Sequence, residues 1–76
     1  MNTRPIEIKI HDIFGKIYRY NGAIYVPLED NKTKVKNIKK VKDYLNNNVS
    51  LYVLEIVFLG GVAQEYHTAL RIQILT

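Results

Sequence analysis

From Ile6 to His11 apolar and polar residues alternate strictly, with Ile6, Ile8 and Ile10 on one side and Glu7, Lys9 and His11 on the other. That is the period of a half-buried strand. Pro5, which cannot donate to a ladder, suits the residue before it. Asp12 to Gly15 reads as a turn. Two β-prone runs follow, residues 16–20 and 23–28, joined by Asn21-Gly22. A two-residue hairpin loop of type I′ needs positive φ at both central positions, and Asn-Gly supplies it. This loop sets Tyr20 opposite Ala23, Arg19 opposite Ile24, Tyr18 opposite Tyr25 and Ile17 opposite Val26. Cross-strand partners share a face of the sheet. The hairpin is therefore expected to have an aliphatic face (Ile17, Arg19, Ile24, Val26, Leu28) and a tyrosine face (Tyr18, Tyr20, Tyr25, with Ala23).

The period changes after the polar stretch 29–32. Val35, Ile38, Val41 and Leu45 recur at steps of three, three and four, which makes one helical stripe. Thr33 is the expected N-cap, and Asn46-Asn47-Asn48 the stop, where asparagine tolerates a left-handed cap. Ser50 to Leu59 is β-branched, aromatic and almost wholly apolar, the pattern of a central strand covered on both faces. Gly60 to Glu65 then reads as a hairpin loop, and Tyr66 to Leu75 as a final alternating strand. The expected order is β-β-β-α-β-β. Five strands and one helix imply an α+β two-layer sandwich, a mainly antiparallel sheet with the helix on one face only. The other face is then left exposed, self-associated or used.

Composition narrows the class. The chain has 76 residues, which fits a single domain over 1–76. With no cysteine, neither a disulfide nor a thiolate metal site can staple it. The longest apolar run, Leu51 to Leu59, is interrupted by Glu55 and is far short of the roughly 20 residues of a spanning helix. The first residues alternate rather than forming the apolar core of a secretory signal. These features lead us to expect a cytoplasmic protein that is not membrane-embedded.

Charge is where function enters. The net charge is +4, yet Lys32, Lys34, Lys36, Lys39, Lys40 and Lys42 fall together in a stretch without an acid. The rest of the chain holds five basic against seven acidic residues, so the excess belongs to one element. Such a cluster is either a solvated helix face or an electrostatic footprint for a polyanion. Lys32, Lys34, Lys36, Lys39 and Lys40 are the candidate contacts for nucleic acid or for an acidic protein surface. Lysine meets phosphate as a point charge, so such binding should be largely independent of base sequence.

The tyrosine face offers a second candidate. Tyr18, Tyr20 and Tyr25 could stack unpaired bases, or pair ordinarily across strands, or lie in a homodimer interface. Arg19 on the opposite face tells against stacking. His11 and His67 are the two histidines, and a pair of imidazoles can cleave phosphodiesters as acid and base. Nothing in their spacing brings them together, and surface histidine is the plainer reading. Glu55, a lone acid in an apolar strand, calls for a partner, with Arg71 or His67 across the strand as candidates. No Gly-rich phosphate loop, His-x-x-x-His pattern or nucleophile elbow appears. We expect no catalytic residues, no metal and no cofactor. The leading expectation is a small basic non-enzymatic nucleic-acid-binding protein. The competing one is a protein-interaction or inhibitor protein, a homodimer formed through the uncovered sheet face or an edge strand.

Overall fold

The computed structural model describes residues 3–28, 31–58 and 68–76, with backbone only for 31–34. Its elements run α1 (Arg4–Phe14), β1 (Tyr18–Tyr20), β2 (Ala23–Pro27), α2 (Asn31–Asn48), β3 (Tyr52–Phe58) and β4 (Thr68–Ile74). The α+β class and the antiparallel sheet agree with the sequence pattern. The five strands, the single helix and their order do not: there are two helices and one sheet of order β1-β2-β4-β3 among the described residues.

The first correction is α1, where alternation suggested a strand. Ile6 and Ile10 are buried, but Ile8 between them is 54% exposed. The buried stripe continues through Ile13 and Phe14, which pack on the same core. Positions 6, 10, 13 and 14 are one helical face. The helix ends are also written locally. Pro5 sits in the first turn, where its missing N–H costs nothing. Glu7 in that turn complements the helix dipole and accepts a hydrogen bond from Thr3 Oγ1 at 3.3 Å. Gly15 closes the helix at φ +80°, its N–H donating to the His11 carbonyl.

The hairpin has the expected register: Tyr18, Arg19 and Tyr20 face Tyr25, Ile24 and Ala23. Asn21 and Gly22 both have positive φ, 50° and 75°. A Cβ added at Gly22 would meet nothing within 4 Å. A Gly22→Ala change should therefore cost only the left-handed backbone, about 1 kcal/mol in urea unfolding.

The second helix starts at Asn31, two residues before the expected cap at Thr33. It ends differently from expectation too. Among the described non-glycine residues only Asn21 has positive φ, so no asparagine forms a left-handed cap at this end. Instead the Asn47 and Asn48 side-chain amides donate to the carbonyls of Asp43 and Tyr44, at 2.9 and 2.8 Å. These bonds add to the backbone bond from the Val49 N–H to the Leu45 carbonyl, at 2.8 Å, that continues the helix pattern at its end.

Ser50 to Leu59 is not a central strand. Its described part, β3, lies at the edge, and β4 occupies the middle between β2 and β3. Both β2 and β3 are antiparallel to β4, so they run parallel to each other. Parallel strands need a crossover, and α2 provides it. The expected loop at 60–65 and the start of the last strand, Tyr66 and His67, lie outside the described residues.

One core joins the layers. Ile6 and Ile10 of α1 and Val41 and Leu45 of α2 pack with Ile24, Val26, Leu70 and Ile72. The last four sit in paired register, Ile24 with Ile72 and Val26 with Leu70, on one face of the sheet. Both helices therefore cover the aliphatic face, and the tyrosines lie on the other. Arg19, the one charge on the aliphatic face of the hairpin, reaches Glu7 of α1 at 3.3 Å. Arg19 is largely exposed, so this pair contributes at most about 1 kcal/mol.

Candidate polyanion-binding surface

The lysine-rich segment is helical throughout, and its backbone carries Lys32 and Lys34 in the first turn. Side chains are described from Val35 onward. Val41 and Leu45 are fully buried and Ile38 half-buried, which aims that part of the stripe at the sheet, whereas Val35, expected on the same stripe, is 71% exposed. Lys36, Lys39, Lys40 and Lys42 are all exposed. Asp43 is the only acid of α2, and it pairs with Lys39 one turn earlier at 3.3 Å. Both partners are exposed, so water screens the pair. Lys36, Lys40 and Lys42 form no ion pair with any described residue.

The surface extends beyond α2. An open groove of 520 Å³ runs between the helices, lined by Lys9, Asp12 and Ile13 of α1 and by Lys40, Asp43 and Tyr44 of α2. The Lys9 ammonium stands 5.8 Å from the centre of the Tyr44 ring, a cation–π contact that holds it beside α2. Lys9 was missed because the strand reading separated it from the lysine segment. As a helix residue, it lies on the layer that carries the others.

The tyrosines lie on the far side of the sheet. Tyr18 and Tyr20 are 51% and 65% exposed, and Tyr25 is half-buried. Tyr20 and Tyr25 meet edge to face with ring centres 6.2 Å apart. The Lys16 ammonium lies 5.7 Å from the Tyr18 ring. Arg71 stands next to Tyr25 in register, and Glu55 next to Arg71. Arg71 donates to Glu55 Oε2 at 3.0 Å and to the Gln73 side-chain oxygen. Glu55 thus has the cross-strand ion pair that the sequence called for. The guanidinium beside the tyrosines is already engaged by that pair.

The lysines and tyrosines do not form one site. Helices cover one sheet face and the tyrosines occupy the other, so a straight nucleic acid strand cannot touch both. His11 is exposed on α1, beside Arg4, Glu7, Ile8 and Arg19. His67 is outside the described residues. No group of three or more His, Asp or Glu among the described residues could hold a metal ion. No described helix is long and apolar enough to cross a membrane. No protein family, characterised protein or solved structure matches the chain.

Proposed function

We propose that this chain is a non-enzymatic binding protein that engages the phosphate backbone of nucleic acid through the outer side of α2. Lys36, Lys39 and Lys40 make the central contacts, and Lys32 and Lys34 extend them toward the start of the helix. The observation that carries this reading is the set of exposed ammonium groups on one helix, among which Lys36 and Lys40 have no carboxylate partner among the described residues. Lys9, held against Tyr44, widens the positive strip onto α1. Lysines project from a rigid helix at fixed spacing but offer no planar fork for reading a base edge. Binding is therefore general for backbone.

The test is fluorescence anisotropy with labelled duplex and single-stranded oligonucleotides. Each phosphate neutralised on a duplex lowers log K by about 0.9 per tenfold rise in salt. Three contacts give about a 40-fold loss between about 50 and 200 mM salt, and five give about 500-fold. Different base sequences should bind within a few-fold of one another. Absence of binding at the lower salt concentration would end this reading.

A further inference from the structure

The two edges of the sheet are unlike. The outer strand β1 is three residues long, carries Arg19 and follows Lys16. Short length and positive charge are how sheets normally protect an edge from pairing. The other outer strand, β3, has seven residues in unbroken register with β4, so it contains no bulge. It has no lysine and no proline. Its one charge, Glu55, is drawn inward over β4 by Arg71. No described strand pairs with the outer side of β3.

The direction of its backbone groups follows from its start. The Leu51 carbonyl accepts from the N–H groups of Leu75 and Thr76, so residue 51 bonds toward β4. Alternation then turns the N–H and C=O of Val53, Glu55 and Val57 toward β4, and those of Tyr52, Leu54 and Ile56 to the open edge. Ile56 is 55% exposed although it lies on the helix side of the sheet. Val35 of α2 is 71% exposed. It lies three helical turns before Asn46, on the same line, and Asn46 accepts a hydrogen bond from Tyr52 of β3. An apolar strip therefore runs beside an unguarded row of backbone donors and acceptors.

We propose that this edge is completed by a second copy of the chain, with the two β3 strands antiparallel about a two-fold axis at Ile56. Self-pairing satisfies the edge with an identical edge, as a two-fold interface requires. Charge and exposure together select the register: an axis at Leu54 would also keep the carboxylates apart, but Leu54 packs against the core whereas Ile56 is exposed. Centring the axis on Glu55 would set two carboxylates directly opposite, which is unfavourable. Centring it on Ile56 sets Ile56 against its own copy and Glu55 beside Val57 of the other strand. Cross-strand partners share a face, so the two helix layers fall on the same side of an eight-stranded sheet. The lysine surface is then doubled on one side. The contact is small, at the low end of interface sizes, so the dimer forms and dissociates with concentration. The like-charged helices oppose it, so salt strengthens it while weakening nucleic-acid binding.

The absence of cysteine makes the test direct. A Cα–Cα separation of about 5.5 Å is expected for residue 56 and its copy in this register, within disulfide range. For residue 57 and its copy it is about 8 Å, outside that range. We expect Ile56→Cys to cross-link into dimers under mild oxidation and Val57→Cys to stay monomeric. Sedimentation without nucleic acid should show the unmodified chain dimerising with rising concentration. Ile56→Lys, at a position already half in solvent, should keep its circular dichroism and raise the dimer Kd by at least about tenfold. A chain that stays monomeric to about 1 mM, or a Val57→Cys variant that cross-links better than Ile56→Cys, overturns the proposal. Neither result depends on whether the lysine surface binds nucleic acid.

Discussion

Replacing Ile10 by alanine should destabilise the protein by about 2–5 kcal/mol, whereas the same change at Ile8 should stay within about 0.5 kcal/mol. Both isoleucines lie on one side of an alternating strand, where truncation would cost similar amounts. In a helix they are 200° apart. The structure makes Ile10 fully buried in the cluster with Val41, Leu45 and Ile72, and leaves Ile8 more than half exposed. Truncating Ile10 removes three carbons' worth of buried surface and leaves a cavity between two helices and the sheet, which cannot close on all sides at once. A domain of this size is only marginally stable, so the variant should be partly unfolded in mild denaturant. Urea unfolding of the two variants, followed by circular dichroism, decides the matter. Equal losses would place Ile8 and Ile10 on one face and contradict α1.

The reason α1 was hidden is physical. Residues i and i+4 share a face in both a helix and a strand, so Ile6 and Ile10 fit either. Isoleucine, with its branched Cβ, favours strands in isolation. Only Ile8 separates the two readings, and its exposure is a tertiary fact. The end signals were legible all the same: Pro5 in the first turn, Glu7 near the start, and Gly15 one residue past Phe14. Read together with Ile13 and Phe14, they outweigh six alternating residues.

The hairpin was legible because Asn21-Gly22 specifies both turn and register locally. The strand character of β3 and β4 also followed from the residue pattern. The position of β3 did not. An apolar run indicates burial in a centre, but the order of strands depends on how α2 crosses from β2 and leaves room for β4. That is a property of the whole chain. The candidate site was half legible for the same reason. The charge pattern picked out Lys36, Lys39 and Lys40 on one helical element. The contribution of Lys9 and the separation from the tyrosines required knowing that two helices lie on one sheet face.

That separation gives the second prediction. Replacing Lys36, Lys39 and Lys40 together by alanine should lower affinity for a duplex by about a hundredfold or more near 50 mM salt. It should also reduce the slope of log K against log salt by about 3, since each lost phosphate contact removes close to one unit. The loss should be the same for unrelated base sequences. All three side chains are exposed, and the only pair broken among the described residues is the i,i+4 contact of Lys39 with Asp43, worth a few tenths of a kcal/mol. The fold should therefore hold, and thermal unfolding should be within a few degrees of the parent. Replacing Tyr18 and Tyr20 by alanine provides the opposing measurement. They lie across the sheet from α2, so duplex affinity should change by less than about twofold. If the tyrosine variant loses affinity and the lysine variant keeps it, the binding surface is the tyrosine face of the sheet and the lysines of α2 are simply a solvated helix side.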